Sequence, residues 1–215
     1  MPTSETEQAL IRSWSAGERA AGRALLEPII PGLKSFFRCK VQRDADVDDL
    51  VQRTLITCQQ SIGRFRGDSV FKAFVYGIAR NMLLKFYDEQ RRRRAIALSD
   101  NSSAQDFAPD PRYVLEQRED VRLLMKALRR IPMDFQIALE LCHWEGMRGA
   151  EIAYVLQIPP STVRTRIHRG MRHLRKKIAE LADSEDLLRK TSVSFESWRL
   201  GLHDQLPVQH TTEET

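Results

Sequence analysis

The pattern that organises this chain is found in residues 148–177, RGAEIAYVLQIPPSTVRTRIHRGMRHLRKK. Pro159 and Pro160 should end a first helix, because proline lacks a backbone N–H and disfavours helical geometry in the residue before it. Ser161 and Thr162 then offer side-chain oxygens that can cap a second helix. Apolar residues recur in that helix at steps of three and four, which places them on one face: Val163, Ile167, Gly170, Leu174 and Ile178. The pattern predicts a helix-turn-helix.

The opposite face of the second helix is polar and basic. Arginine presents a planar fork that matches the two acceptors of guanine, while serine and threonine can bind a base edge or a phosphate. Because the turn, the apolar stripe and the basic face coincide, we predict contact with a DNA major groove rather than a merely solvated surface. For the histidine, an idle surface position is an equal alternative. The predicted contact residues are Ser161, Thr162, Arg164, Thr165, His168, Arg169 and Arg172.

A second informative stretch combines aromatic and basic residues. Residues 63–68 read GRFRGD, and a long helix predicted from about Ser69 to Arg94 carries many rings and ends in a run of arginines. Aromatic rings can stack on unpaired bases while arginines follow the phosphates, and the glycine-flanked loop could hold a flipped base. Core packing is the alternative explanation for most of these rings.

Composition and charge restrict the class of protein. An apolar share of 42% supports buried cores, no apolar run approaches a membrane span, and the polar N-terminus carries no secretory signal, so we expect a cytoplasmic protein without membrane contact. Residues 183–215 hold seven acids and three bases, a formal charge of −4 that leaves +9 for residues 1–182. A basic body of this kind suits a polyanionic partner. The acidic extension can begin as helix at Leu187 and Leu188.

Catalytic and metal-binding patterns are lacking in the sequence. Cys39, Cys58 and Cys142 lie far apart, without the paired spacing of a zinc site. There is no convincing nucleophile–base pair and no phosphate-binding glycine loop. We therefore predict no enzyme activity, no cofactor and no metal.

The sequence predicts an all-α fold of two small helical domains joined by a flexible linker, the second domain containing the helix-turn-helix. The division lies where Ser, Asp, Asn, Ala and Pro replace the helical periodicity, over a stretch too long for a connection inside one domain. The predicted boundaries are a first domain at 5–94, a linker at 95–113, a second domain at 114–182 and an acidic C-terminal extension at 183–215.

These stretches, in this order, resemble the extracytoplasmic-function (ECF) group of bacterial RNA polymerase sigma factors over roughly residues 8–182. The resemblance implies binding to core RNA polymerase and to promoter DNA, with the first domain melting and reading the minus-ten element and the second reading the minus-thirty-five element as duplex. The matching motifs are Asp49-Leu-Val-Gln52, Phe65-Arg-Gly-Asp-Ser69, Phe71-x-x-Phe74-x-Tyr76-x-Ile78-Ala-Arg-Asn81, Glu151-Ile-Ala153 and Thr162-Val-Arg-x-Arg-x-x-Arg169.

The resemblance also implies roles for individual residues of the first domain. One set would hold the melted non-template strand: Phe65, Arg66, Asp68, Ser69, Tyr76, Arg80, Asn81, Arg91 and Arg92. Another set would dock on the polymerase: Asp46, Asp49, Gln52, Arg53 and Ile56.

Arg53 departs from the resemblance, because the family usually has glutamate after Asp-Leu-Val-Gln. On a helical wheel it shares the exposed docking face, so a surface meant for a basic partner has lost an acid and gained a base. We hypothesise that phosphorylation of Thr54 or Thr57 supplies the missing negative charge. The alternative is that both are ordinary helix residues and that docking relies on the nearby aspartates. A Ser/Thr kinase or an anti-sigma factor would be a regulatory partner.

Two other functions stay open at this point. A conventional helix-turn-helix regulator, binding operator DNA as a dimer without polymerase, would account for residues 133–177 but not for the first domain. A nucleic-acid enzyme, or a helical accessory domain of one, would need a carboxylate or metal cluster. The acidic cluster at residues 44–49 has a simpler explanation, since it begins a helix.

Overall fold

The computed structural model describes residues 5–41, 43–65, 67, 69–99 and 119–191. Within these ranges the regular elements are helices and none is a strand, which confirms the predicted all-α class. Residues 185–191 are also helical, as predicted for the start of the C-terminal extension. The longer helices are α1 Glu5–Ser15, α2 Arg19–Leu26, α3 Ile30–Arg38, α4 Asp44–Ser61, α5 Phe71–Ser99, α6 Glu119–Leu128, α7 Met133–His143, α8 Gly149–Leu156 and α9 Pro160–Leu181.

Helix α5 is longer than predicted. It begins at Phe71 and continues to Ser99, five residues past the predicted end at Arg94. Residues 95–99 read AIALS, and the alanines and leucine among them favour a helix once one has been started. The first five residues of the predicted linker are therefore helical, which corrects the prediction, and the part of the linker at 100–113 lies outside the described residues.

The chain divides into two compact units. Unit 1 comprises Met1–Gln117 together with Arg148–Arg164, and unit 2 comprises Arg118–Met147 and Thr165–Thr215. The sequence places residues 148–164 in the second domain, whereas here they belong to unit 1 because α8 packs against α5. The division therefore falls within α9, which continues from one unit into the other.

The core of unit 1 forms where α4 faces α5. Buried residues of α4 recur at helical spacing, and the matching face of α5 is fully buried as well. Trp14 on α1 makes an edge-on contact with Phe71, with ring centroids 6.1 Å apart, and the indole lies directly over Gly22 of α2. The buried residues of the two long helices include Val47, Leu50, Val51, Cys58, Val75, Ala79 and Leu83.

The core of unit 2 is built by α6, α7 and α9. Gly170 allows a close approach of two of these helices, because a Cβ there would lie 3.2 Å from the Cβ of Phe135 and 3.3 Å from the Cγ of Leu139. Leu187 of the C-terminal helix belongs to the same cluster. The other buried members are Leu123, Leu124, Ala127, Leu128, Ile131, Leu174 and Ile178.

The turn of the helix-turn-helix depends on one left-handed residue. Gln157 has φ 55° and ψ 46°, and the Ile158 N–H then donates to the Ala153 carbonyl at 3.1 Å, a helix-ending pattern that usually contains glycine. Helix α9 begins at Pro160, where the missing N–H costs nothing. Ser161 therefore lies inside the first turn and is not the residue that precedes the helix, which corrects its predicted capping position.

We expect Gly22→Ala to lower the free energy of unfolding of unit 1 by roughly 1–2 kcal/mol. The new methyl would overlap the buried indole of Trp14, and overpacking of this kind outweighs the gain in helix propensity. Chemical denaturation followed by tryptophan fluorescence measures the change. Gly63→Ala is the matched control, since a Cβ there meets nothing within 4 Å. Equal stabilities of the two variants would contradict the packing described for Trp14.

We expect Gln157→Gly to raise the free energy of unfolding by roughly 0.5–1 kcal/mol, because glycine adopts the left-handed conformation without steric cost. Thermal and chemical unfolding of the full chain measure it. Gln59→Gly, at an exposed position inside α4, should instead destabilise by about 0.5–1 kcal/mol. Loss of stability in both variants would show that Gln157 is not strained.

Candidate nucleic-acid interface

The predicted DNA-contacting residues lie along one side of α9. Ser161, Thr165 and His168 are exposed, as are Arg164, Arg169 and Arg172, while Thr162 is half-buried. Their positions repeat at three or four residues, so their side chains share one face of the helix. The structure brings this part of the predicted site together on a continuous element.

The rotation of α9 is set by its apolar stripe. Val163 is 2% exposed, Leu174 is fully buried and Ile178 is 2% exposed. Gly170 is buried as well and Ile167 is half-buried. The stripe predicted from the sequence is therefore the buried one, and the basic face points to solvent.

Two further contacts of α9 have no signal in the sequence. The Arg166 Nη1 donates to Asp134 Oδ2 of α7 at 3.0 Å, with only 21% of the arginine side chain exposed. The His173 ring stacks on Phe135 of α7, with centroids 5.0 Å apart and planes 21° apart. These partners are more than thirty residues apart in the chain, so only the tertiary fold brings them together. Arg166 is thereby withdrawn from the basic face.

The remaining arginines on the outer face are available to an anion. In the part of the chain that the structure describes, Arg164, Arg169 and Arg172 have no carboxylate partner. An arginine without a partner can form charge-assisted hydrogen bonds to phosphate, or a two-point contact to guanine, without first breaking an ion pair. The face combines exposed cations with exposed hydroxyl groups, which suits DNA backbone and base edges.

Phe65, in the predicted base-capturing loop, packs on an aromatic cluster. The Phe65 ring lies 5.0 Å from the Phe74 ring and 6.1 Å from the Phe71 ring, measured between centroids. Phe71 is only 1% exposed, whereas Phe65 and Phe74 keep part of their surface accessible. Gly67 has φ 75°, a conformation that favours glycine. Phe65 therefore has a fixed support and an accessible side.

Tyr76 requires a correction. The resemblance implies a contact with melted DNA, but Tyr76 is fully buried and packs edge-on against Phe36 of α3, with centroids 5.6 Å apart. Its position three residues before Ala79 and seven before Leu83 puts it on the buried stripe of α5. Tyr76 is a core residue in this fold and has no surface for a base.

The other residues predicted to hold the melted strand have differing exposure. Asn81, Arg91 and Arg92 are exposed on α5, whereas Arg80 and Ser69 are half-buried. The Ser69 hydroxyl donates to the Val70 carbonyl at 3.3 Å. The two remaining predicted residues, Arg66 and Asp68, lie outside the described residues.

The predicted polymerase-docking helix α4 carries four aspartates, and each faces a basic side chain. Two of the bases come from α3, which no sequence pattern indicated. Exposed pairs of this kind contribute about 0–1 kcal/mol to stability, but they neutralise the surface. The nitrogen–oxygen distances are 3.7 Å for Arg38–Asp44, 3.8 Å for Arg43–Asp46, 3.7 Å for Lys34–Asp48 and 2.9 Å for Arg53–Asp49.

The predicted docking face of α4 centres on Arg53. Gln52 and Arg53 are exposed, Asp46 and Asp49 are half-buried, and Ile56 is 53% exposed, which is unusual for an isoleucine. The predicted docking residues of α4 are therefore all at least partly accessible.

The two threonines considered for phosphorylation differ sharply. Thr54 is fully buried and its hydroxyl donates to the Leu50 carbonyl at 2.7 Å. Thr57 is partly exposed, and its hydroxyl donates to the Arg53 carbonyl at 2.7 Å. Thr54 is therefore inaccessible to a modifying enzyme in this fold, which corrects its place among the predicted acceptors.

Two of the three cysteines, Cys58 and Cys142, are shielded from water to different degrees. Burial raises the pKa of the Cys58 thiol to about 12 and raises the pKa of Cys142 as well, so both stay protonated at neutral pH. Among the described residues no group of histidine, cysteine, aspartate and glutamate could hold a metal ion. No helix in those ranges is long and apolar enough to span a membrane.

Comparison with known proteins agrees with this geometry. Sigma-70 region 2 matches residues 25–93, and sigma-70, region 4 matches residues 122–174. The ECF RNA polymerase sigma-E factor of Haemophilus influenzae is 28% identical over 184 residues, covering 82% of this chain and 97% of that protein. The ECF RNA polymerase sigma-E factor of Escherichia coli K12 is 27% identical over 184 residues, covering 82% and 96%.

Solved structures show the same fold. The sigma factor RpoE from Bartonella quintana, in complex with the anti-sigma factor NepR, has a TM-score of 0.57 and 25% identity, covering 74% of this chain and 96% of that one. CnrH, in complex with the cytosolic domain of CnrY, has a TM-score of 0.64 and 20% identity, covering 84% and 100%, and shares the fold. With both sigma-70 regions present in order, the chain belongs to the extracytoplasmic-function group of the sigma-70 family of RNA polymerase sigma factors.

Proposed function

We propose that this sigma factor binds core RNA polymerase through α4 and directs it to promoters through α5 and α9. The outward face of α9 carries the proposal: three exposed arginines, without carboxylate partners in the described part of the chain, on a helix whose rotation is set by a buried stripe. The sigma factor would act in the cytoplasm, where the polymerase is. The polymerase supplies the chemistry, and this chain contributes recognition.

Helix α9 would read the upstream promoter element as duplex. Arg164 and Arg169, at the N-terminal half of the helix, are suited to base edges, and Arg172, one turn farther along, is suited to the DNA backbone. Ser161, Thr165 and His168 are exposed on the same face and add hydrogen-bonding groups. Arg166 is engaged with Asp134 and serves to orient the helix.

Helix α5 and the loop before it would hold the melted element. Phe65 offers an accessible ring supported by Phe71 and Phe74, and a supported ring can stack on an extruded base. Asn81 is exposed on the helix behind it, and Arg91 and Arg92 extend the surface with positive charge for the strand backbone.

Docking through α4 would be regulated by charge. The aspartates of this helix are each paired, so the unmodified surface offers a basic partner little net attraction. Arg53 lies one turn after Asp49 and one turn before Thr57, within reach of both. A phosphate on Thr57 adds nearly two negative charges and would compete with Asp49 for the guanidinium.

Thr57 is therefore our proposed phosphorylation site, and a Ser/Thr kinase the proposed activating partner. Its partial exposure supports this choice over Thr54. An anti-sigma factor is a second regulatory partner to test, since the sigma factor RpoE from Bartonella quintana was solved in complex with the anti-sigma factor NepR.

We expect Arg169→Ala to weaken binding of the polymerase-bound sigma factor to its upstream element by about 1–3 kcal/mol, because one two-point contact is lost. Fluorescence anisotropy with labelled promoter duplex measures it. Lys126→Ala, which removes an exposed cation of α6 outside the basic face, is the matched control and should change little. Tight binding of a palindromic duplex by the isolated protein, with no dependence on polymerase, would instead indicate an operator-binding regulator.

We expect Arg53→Glu to strengthen binding of the unmodified chain to core RNA polymerase by about three- to tenfold, since it breaks the pair with Asp49 and restores an acid to the docking face. Thr57→Glu should act in the same direction more weakly. Arg23→Glu, the same charge reversal at an exposed position of α2 and away from that face, is the control. The effects should shrink as salt is raised.

Full-strength assembly of the unmodified wild-type chain, with no gain from Arg53→Glu, would rule out charge regulation at α4. If Arg53→Glu strengthens binding to core RNA polymerase but phosphorylation of Thr57 does not, α4 remains the proposed docking site and Thr57 is not the regulatory modification.

A further inference from the structure

The start of the acidic extension folds as a short helix that packs on the core of unit 2. After α9 ends at Leu181, the chain turns at residues 182–184, where the Ser184 side-chain oxygen accepts the Leu187 N–H at 3.1 Å and the Ser184 carbonyl accepts the Leu188 N–H at 3.0 Å. Ser184 thereby caps the helix of residues 185–191. We call residues 183–191 the strap.

The inner face of the strap is buried. Leu187 is 8% exposed and lies in the cluster formed by α6, α7 and α9. Thr191, one turn later on the same face, is fully buried, and its hydroxyl donates to the Leu187 carbonyl at 2.7 Å. Leu181, Ala182 and Leu188 add partly buried surface to the same cluster.

The outer face of the strap is charged. Asp186 pairs with Arg189 at 3.2 Å and with Lys190 at 2.5 Å. Hydrogen bonds from Lys190 and Arg189 lower the pKa of the Asp186 carboxyl below its ordinary value. Because these pairs form between residues of the strap itself, they hold the short helix together, while the leucine attaches it to unit 2.

The strap lies outside both family matches, which end at residues 93 and 174. The stretch matched to region 4 contains Leu123, Leu124 and Leu174, and Leu187 covers that cluster from a position thirteen residues beyond its end. The segment that completes the core beside α9 is therefore the start of the C-terminal extension.

We propose that the strap is a clamp on the recognition helix: it holds the C-terminal half of α9 against α6, and its release, by cleavage or by a partner that takes up Leu187, loosens α9 and weakens promoter recognition. The residues of α9 in the shared cluster are Leu174 and Ile178, directly after the basic face that ends at Arg172. Clamping is a conformational control on α9, separate from docking through α4. The predicted effect of the clamp on DNA affinity rests on the proposed function, whereas its predicted effects on hydrogen exchange and melting temperature do not.

The test uses the full chain with Leu187→Ala, with Glu185→Ala as a control at an exposed position of the same helix and Leu187→Met as a volume-conserving rescue. We expect Leu187→Ala to lower the melting temperature of unit 2 by about 10 °C and to speed hydrogen exchange at the amides of Leu174 to Leu181. Glu185→Ala and Leu187→Met should stay near wild type.

Two truncations separate the strap from the rest of the extension. Ending the chain after Thr191 should leave exchange in α9 unchanged, whereas ending it after Ala182 should reproduce Leu187→Ala. Equal rates of hydrogen exchange in α9 in all of these variants would overturn the clamp. The clamp would also be overturned if the chain that ends after Thr191 already showed the full increase in exchange.

Measuring promoter binding together with hydrogen exchange separates a failure of the clamp from a failure of the proposed function. With the clamp and the proposed function both correct, Leu187→Ala loses affinity for the upstream duplex while binding of core RNA polymerase through α4 persists. Faster exchange in α9 without loss of DNA affinity would support the clamp and count against DNA reading by α9. Loss of DNA affinity without faster exchange would overturn the clamp alone.

Discussion

Burial of the apolar stripe of α9 fixes how this helix is rotated, and the basic face that it presents to solvent, the proposed DNA-binding face, depends on that rotation. Removing Val163, Leu174 and Ile178 from water is worth roughly 5 kcal/mol or more in total. A turn of the helix that exposed them would also bury Arg172, which is far more costly without a partner. Gly170 contributes by letting α9 approach α7 closely, and the Arg166–Asp134 pair opposes rotation as well.

Helix α4 follows the opposite principle. Its inner face is as well packed as that of α9, yet its outer face carries acids that are each compensated by a nearby base. A compensated surface contributes almost nothing to stability, so the pairs can be exchanged for others without unfolding the helix. Such a surface responds readily to one added or removed charge, whereas Arg164, Arg169 and Arg172 of α9 have no carboxylate partner in the described part of the chain.

Features of the fold that arise from interactions between residues close in sequence were predictable, and those that arise from contacts between distant residues were not. The helical class, the two helices around Pro159 and the buried stripe of α9 arise from periodicity and proline chemistry, which are local. The left-handed Gln157 escaped prediction because glycine normally occupies such a position. The pairs that Lys34 and Arg38 make with α4 were invisible for a different reason, since only the packing of α3 on α4 brings them within reach.

Tyr76 was predicted wrongly although local periodicity indicates its position. Its spacing from Ala79 and Leu83 indicates the core, but resemblance to a motif suggested a DNA contact, and the periodicity was the better guide. The exposed positions of the candidate site had no such check, because exposure alone does not distinguish a binding residue from a solvated one.

Helix α5 is unbroken from Phe71 to Ser99, and at 1.5 Å per residue it is a rod about 43 Å long. Asn81 and Arg92 are therefore held about 16 Å apart along its axis and on nearly the same side, since the residues between them make about three full turns. In the proposed function, the helix thereby fixes the distance between a base captured near Asn81 and the strand backbone held near Arg92. Adding a single residue between these two positions would turn the basic end of α5 by about 100° and place Asn81 and Arg92 on different sides of the helix.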